Sequence, residues 1–177
     1  MIFAYYLALS YIATSLLASG VHHGTRLARF SSIVRSHRMI PAGLATPLAI
    51  LVTVFELAAG GAALAVLWKE TSVPAPLLFS ICILIGLAFA LYVRQLLRSP
   101  KGITSCGCSA FASPLTIASI VPALALMLVS LIGLATTAFG FASPLHPYFL
   151  VVLPLAWGAT LALIINLLPA SMPGPAT

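Results

Sequence analysis

The sequence is very poor in charge. It contains no aspartate and only two glutamates, and charged residues make up 6% of the 177 residues. Soluble domains usually carry about 25% charged residues, and a surface with so few polar side chains would not stay dissolved in water. A mean hydropathy of +1.17 and an apolar fraction of 62% agree with this. The composition therefore excludes a soluble enzyme and predicts an integral membrane protein.

The usual sequence signatures of phosphate binding, of serine hydrolases and of paired catalytic carboxylates are also missing. The basic residues do not indicate nucleic acid binding, because seven of the eight fall in two short stretches beside predicted helix ends. Such residues typically contact lipid headgroups and orient the chain, so the expected partner is the bilayer. The seven are Arg26, Arg29, Arg35, Arg38, Arg94, Arg98 and Lys101.

Long apolar runs predict an all-α membrane protein, a bundle of about five transmembrane helices that forms one integral-membrane domain over residues 1–177. The predicted spans cover about 2–21, 43–68, 76–97, 114–139 and 147–168, with Pro122 inside the fourth. Each run is long enough to cross a hydrocarbon core of about 30 Å at about 1.5 Å per residue. No basic stretch precedes the first run, so we expect the first helix to be retained after synthesis.

Residues 22–41 differ from the spans because apolar residues recur every three to four positions among arginines. This pattern favours an amphipathic helix in the membrane interface, and a plain connecting loop is the alternative. His22, His23 and His37 are expected at headgroup level, since adjacent histidines on a helix point about 100° apart and no acidic residue completes a metal site. Tyr92 is expected to be an interface anchor.

Cys106 and Cys108 flank Gly107 in the predicted loop 98–113. Glycine supplies the backbone freedom that a small disulfide ring needs, and strain in such a ring makes it easy to reduce. Arg98 and Lys101 would favour the reactive thiolate. The spacing therefore favours redox exchange, while half of a tetrahedral metal site and inert buried thiols stay open as alternatives.

Glu56 is the one ionisable residue deep in a predicted span. A lone carboxylate is costly there, so it should be protonated, face the bundle interior, or pair with a cation or hydroxyl. It is either a proton or ligand site or a hydrogen-bonded packing residue. The small residues Gly60 and Gly61 nearby predict close helix approach. Cys82, on the third predicted span, is interpreted as a packing residue.

The positive charges predict the orientation of the bundle. Five spans place the seven basic residues on one face and Lys69 alone on the other, so the first face is predicted to be cytoplasmic and the N-terminus external. Cys106 and Cys108 then lie on the cytoplasmic side, where disulfides do not persist. Either the topology is inverted, or electrons flow outward from cytoplasmic thiols, or the cysteines have another role.

Several of these features together resemble a known family. The segment Phe30-x-x-x-Val34-x-x-His37-x-x-Ile40-Pro41 and the central Glu56 followed by small residues resemble the DoxX-like membrane proteins. A basic helix end followed by Cys-Gly-Cys is similar to the methylamine-utilisation MauE family in particular.

The resemblance implies a multi-pass protein of the bacterial inner membrane that supports maturation of the disulfide-rich small subunit of methylamine dehydrogenase. It implies a thioredoxin-like or exported protein partner and thiol-disulfide oxidoreductase chemistry at Cys106 and Cys108, without a metal. A quinone follows only by analogy with quinone-linked disulfide-forming bundles. The residues leave two other functions open: a non-enzymatic binder or transporter centred on Glu56, and metal handling by Cys106, Cys108 and a histidine.

Overall fold

The computed structural model describes residues 2–68, 74–99, 105–106, 113–114, 117–138 and 149–171, and most of this part of the chain is helical. The helices are α1 (Ile2–Thr25), α2 (Leu27–Ser36), α3 (Ala45–Leu67), α4 (Ala75–Leu97), α5 (Val121–Ala138) and α6 (Phe149–Ser171), with short 3₁₀ turns at Ala42–Leu44 and Ile117–Ile120. Two-residue strands, β1 (Ser105–Cys106) and β2 (Ser113–Pro114), pair antiparallel with Cys106 opposite Ser113.

Within the described residues, four helical stretches are long and apolar enough to cross a membrane: Phe3–Thr25, Ala42–Leu67, Ala75–Leu97 and Ile117–Ala138. α6 contributes a shorter apolar stretch, Leu153–Ile165. The predicted helical membrane bundle is therefore confirmed. α2 follows the first of these stretches as a separate ten-residue helix with arginines on its exposed side, as expected for an amphipathic segment.

α1 is the central helix of the bundle, because it contacts α3, α5 and α6, while α4 packs mainly on α5. The side chains of Leu9, Tyr11 and Ile12 on this helix are almost completely buried. α1 and α3 approach closely at Gly60, where an added Cβ would lie 2.8 Å from Cγ of Leu17. Of the two glycines predicted to allow close helix approach, Gly60 lies at such a contact. A Cβ added at Gly61 would meet no atom within 4 Å.

One end of the bundle collects positive charge, and we call it the basic end. α2 packs against the first turns of α3. A hydrogen bond between His37 and Tyr92 also joins the C-terminal part of α4 to the end of α2. Arg38 just after α2 has a φ of 51°, a left-handed conformation that turns the chain back toward α3. The exposed arginines of this end are Arg26, Arg29, Arg35, Arg38, Arg94 and Arg98.

Two helices have bounds that differ from those of the predicted spans. α1 does not stop near Val21 but continues to Thr25, so His22 and His23 belong to its last turn and not to the interfacial segment. The fourth predicted span included Pro114, which lies in β2. Pro122 lies within the helical stretch Ile117–Ala138, in the first turn of α5 after the 3₁₀ turn. Proline is tolerated in a first turn because the N–H that it lacks has no helical partner there.

Candidate functional site

The carboxyl group of Glu56 is the centre of a buried polar cluster. Glu56 lies halfway along α3 and is 4% exposed. Its Oε1 accepts a hydrogen bond from the Ser19 hydroxyl at 2.8 Å, and its Oε2 lies 2.8 Å from Nδ1 of His23. Ser19 and His23 are four residues apart on α1, so both side chains face α3. The prediction that Glu56 faces the interior and pairs with a cation or hydroxyl is confirmed.

The contact between Glu56 and His23 is within hydrogen-bonding distance. Together with the Ser19 hydroxyl it gives each carboxyl oxygen a partner, which is far less costly in hydrocarbon than a lone carboxylate. The His23 ring also stacks on Phe30 of α2, with ring centroids 3.9 Å apart and planes 4° from parallel. The imidazole is therefore held from two sides, by a carboxyl group and by a ring.

A second buried polar pair lies at the basic end. Nδ1 of His37, at the end of α2, is 2.6 Å from the Tyr92 hydroxyl of α4. His37 is 1% exposed and His23 is 3% exposed, so both imidazoles are buried within the protein, and their position at headgroup level stays a prediction. The Tyr92 hydroxyl joins α4 to the end of α2, and its role as an interface anchor also stays a prediction. Burial of these imidazoles requires such partners.

A cavity of about 420 Å³ connects the two polar pairs. Its walls come from α1, α2, α3 and α4 and are apolar except for Glu56, His37 and Tyr92. Along α3 it extends from Leu48 to Glu56, about 12 Å at 1.5 Å per residue. The cavity therefore occupies the half of the bundle nearer the basic end. Three phenylalanine rings also line it: Phe30, Phe55 and Phe89.

Glu56 also borders a second, much smaller cavity of about 40 Å³. Three hydroxyl-bearing residues line this space together with the carboxyl group: Ser15, Ser19 and Ser119. Ser119 belongs to the 3₁₀ turn that follows β2 and leads into α5. The carboxyl group of Glu56 therefore lies between a large apolar cavity and a small one whose apolar lining also carries serine hydroxyls.

The predicted redox site is described only in part. The backbone of Cys106 lies in β1, while Gly107, Cys108 and Lys101 fall outside the described residues. Arg98 is exposed at the C-terminal end of α4. Cys82 is completely buried in the core between α1, α4 and α5, which agrees with its interpretation as a packing residue. In the part of the chain that the structure describes, no three His, Cys, Asp or Glu residues gather as metal ligands.

Comparison with known proteins identifies the family. The family described as methylamine utilisation protein MauE matches residues 1–136. The chain belongs to the MauE family. No curated protein and no solved structure matched it.

The matched region of this MauE-family protein contains all the candidate site residues. It runs from α1 to near the end of α5, so the buried cluster, the large cavity and the Cys-Gly-Cys segment all belong to it. The family assignment and the apolar helices together identify a multi-pass membrane protein of methylamine utilisation. The family that the Cys-Gly-Cys segment suggested, MauE, is thereby confirmed. The similarity to the wider group of DoxX-like proteins stays a resemblance.

Sequence reasoning on this MauE-family protein found the acid of the cluster but missed its partners. Ser19 and His23 carry a usable signal, since they are polar, four residues apart and placed on an otherwise apolar helix. The search for a site treated His22 and His23 as a unit, whereas only His23 is buried and His22 is partly exposed. His37 and Tyr92 lie 55 positions apart and carry no local signal of their contact.

Proposed function

We propose that this protein is a membrane accessory factor of methylamine utilisation that carries out thiol-disulfide exchange through Cys106 and Cys108. The observation that carries the proposal is the family membership of a region with two cysteines separated by a single glycine. The partner is a thioredoxin-like or exported protein, such as the disulfide-rich small subunit of methylamine dehydrogenase. The location is the bacterial inner membrane.

The chemistry of the exchange follows from the spacing of the two sulfurs. A thiolate of one cysteine attacks a partner disulfide, and a mixed disulfide forms with release of one partner thiol. The second cysteine then attacks the mixed disulfide, which frees the second partner thiol and closes the Cys106–Cys108 ring. The partner gains two electrons and two protons, and the pair loses them. Strain in the small ring favours the reverse reaction, in which a partner dithiol reduces the Cys106–Cys108 disulfide and is itself oxidised to a disulfide.

The basic residues that precede Cys106 in the sequence support an electropositive environment for the cysteine pair. The pairing of β1 with β2 fixes the backbone of Cys106 opposite Ser113, and β2 contacts α6. The preceding helix ends with Arg94 and Arg98, both exposed. Positive charge nearby increases the thiolate fraction of a cysteine, and the thiolate is the attacking species.

The test replaces each sulfur and measures growth on methylamine in a strain that lacks the chromosomal copy. Cys106→Ser and Cys108→Ser should each abolish growth, while Cys82→Ala serves as the matched control and should retain it. Normal growth of both serine variants, at wild-type protein levels, would refute thiol exchange.

The side of the membrane is tested separately with a membrane-impermeant maleimide, applied to intact cells and to inverted vesicles. The charge distribution predicts that Cys106 and Cys108 react in inverted vesicles, and more strongly after reduction. Labelling from the outside would instead establish the inverted topology and place the pair in an oxidising compartment.

A second candidate function is favoured by the cavity beside Glu56. A non-enzymatic binder or transporter of a small molecule or ion would use the carboxyl group and the space of about 420 Å³ that it borders. Under this function Glu56→Gln should abolish growth on methylamine and Cys106→Ser should leave it nearly intact. Thiol exchange predicts the opposite pattern, so the two variants in one strain background separate the candidates.

A further inference from the structure

We propose that the cavity of about 420 Å³ holds one acyl chain of an anionic phospholipid whose phosphate lies at the arginines of the basic end. The inference concerns the cavity of the second candidate function, but it needs no contact with Glu56 and is independent of both candidate functions. The observations that carry it are the wall of the cavity, its opening, its length and the charge of the basic end.

Carbon atoms form almost the whole wall of the cavity. Glu56, His37 and Tyr92 belong to the lining, but their oxygen and nitrogen atoms contribute almost nothing to its surface. A water molecule needs about two to four polar partners to occupy a cavity, and this wall does not offer them. An empty space would forfeit the dispersion contacts of the side chains around it. The wall therefore selects a hydrocarbon occupant.

The opening of the cavity lies between α3 and α4, which contact each other far less than α1 contacts α3 or α4 contacts α5. Leu51 and Phe55 of α3 line the cavity and are 62% and 38% exposed, and Ala88 of α4 is a lining residue that is also exposed. These residues belong to stretches long and apolar enough to cross a membrane. The opening therefore faces hydrocarbon, and a lipid chain enters it sideways from the bilayer.

The length of the cavity suits part of an acyl chain. Along α3 it extends from Leu48 to Glu56, about 12 Å at 1.5 Å per residue. Three bonds of a fully extended chain advance by about 3.5 Å, so about ten carbons fit along this distance. The remaining carbons of a longer chain continue through the opening into the bilayer.

The basic end supplies the charge that favours an anionic headgroup. The lining includes Ile40, which lies two residues after the exposed Arg38. The chain has only two acidic side chains: Glu56 is buried with its own partners, and Glu70 comes after the opposite end of α3 in the sequence. The arginines of the basic end are therefore left to attract anions outside the protein, and arginine binds phosphate well.

The charge also fixes which part of the lipid enters. No lysine or arginine is among the described residues that line the cavity, so a phosphate inside it would be buried without a counterion. The headgroup therefore stays at the membrane surface beside the arginines, and only the chain lies within the bundle. This arrangement places the lipid in the leaflet at the basic end.

The first test identifies the occupant by native mass spectrometry of the full-length protein. The protein is released in mild detergent from vesicles of equal parts dioleoylphosphatidylglycerol and dioleoylphosphatidylcholine. One lipid per protein should be retained, with the glycerol lipid preferred at least about fivefold, as one arginine near a headgroup provides. Equal retention of the two lipids, or no retained lipid, would overturn the proposal. So would a quinone or a free fatty acid in place of phospholipid on protein taken from native membranes.

The second test locates the chain with a phosphatidylglycerol that carries a diazirine in the middle of one acyl chain. After irradiation in the same vesicles, crosslinks should map to Val52 and Phe89, which line the cavity and are only partly exposed. Lipid that merely surrounds the bundle marks outward side chains such as Val54 and Leu84. Crosslinks confined to these outward residues would contradict a chain inside the cavity.

Two obstructing variants and one control follow the same readouts. Ala88→Phe places a ring in the cavity from α4 and should remove both the retained lipid and the crosslink at Val52. Leu51→Trp narrows the opening at an exposed position and should act in the same direction without disturbing the core. Ala58→Phe, at an exposed position on α3 outside the lining, should leave both readouts unchanged. Lipid retained in both obstructed variants would refute the proposed site.

The headgroup contact is tested by removing charge. Arg35→Gln and Arg38→Gln together should lower the preference for phosphatidylglycerol and leave the crosslink at Val52 in place, because only the phosphate loses a partner. Lys69→Gln, the control on the face predicted to be external, should leave the preference unchanged. An unchanged preference in the double arginine variant would show that the phosphate does not lie at this end. Growth of the Cys106→Ser and Glu56→Gln strains decides the two candidate functions whatever lipid is retained.

Discussion

His23 and Glu56 form a buried pair, so the effects of their substitutions on the free energy of unfolding should be strongly non-additive. Replacing His23 by leucine leaves the carboxyl group with Ser19 alone, and loss of one partner of a buried ion pair costs about 3 kcal/mol. Glu56→Gln should cost only about 1 kcal/mol, because the amide oxygen can still accept from Ser19 and the amide N–H can donate to Nδ1 of His23.

The double variant distinguishes an ionic pair from an ordinary hydrogen bond. Once Gln replaces Glu56, the loss of His23 no longer strands a charge, so we expect a total cost of about 2 kcal/mol and a coupling energy of about 2 kcal/mol. Hydrogen bonds between membrane helices couple by about 0.6 kcal/mol on average. A coupling energy at or below that value would refute the argument that His23 is the partner of a buried charge on Glu56.

Cys82 supplies the assay, because its side chain is 0% exposed. In a background with Cys106 and Cys108 changed to serine, Cys82 is the last of the three cysteines, and its reaction with a maleimide during titration with dodecyl sulfate reports unfolding. His22→Leu is the matched control, since this neighbouring histidine is partly exposed, and the described partners of Glu56 are Ser19 and His23. It should change stability by less than about 0.5 kcal/mol.

The same unfolding assay tests three further predictions. Gly60→Ala should destabilise the bundle by about 1–3 kcal/mol, because the new Cβ meets Leu17. Gly61→Ala should be neutral or mildly stabilising. Equal effects of the two variants would contradict the packing of α1 on α3. Pro122→Ala should change stability by less than about 0.5 kcal/mol, and a gain of several kcal/mol would show that Pro122 interrupts a helix. Arg38→Gly should stabilise the protein by about 0.5–1 kcal/mol by relieving a left-handed φ, and the helical control Arg35→Gly should destabilise it by about 1 kcal/mol; a loss at both would refute this reading.

Most of the fold could be predicted because the constraint is local. In hydrocarbon every backbone N–H and C=O must be satisfied within its own segment, so an apolar run of sufficient length becomes a helix wherever it occurs. The differences fell at helix ends, where local apolarity is a poor guide. α1 continues for one more turn, to Thr25. His23 lies in that turn, and its buried partner Glu56 belongs to α3.

The candidate site could be predicted only in part. Glu56 stood out because an acid in an apolar run has no local explanation, but its partners are 37 and 33 residues away in sequence. The Cys-Gly-Cys pair differs from Glu56, because its proposed chemistry depends only on residues that are adjacent in the sequence. Its role stays a prediction. The large cavity had no sequence signal, because its lining comes from four helices whose residues look like ordinary membrane-facing side chains.

The sequence by itself determined a helical membrane protein with a lone interior acid, a basic end and two closely spaced sulfurs, because composition, apolar run length and spacing are properties of the chain. Only the tertiary structure decided that His23 and not His22 meets Glu56, that His37 is joined to Tyr92, and that α3 and α4 leave a cavity between them. These depend on how each helix is rotated about its axis, and that rotation is set by close contacts such as Gly60 against Leu17 between distant segments.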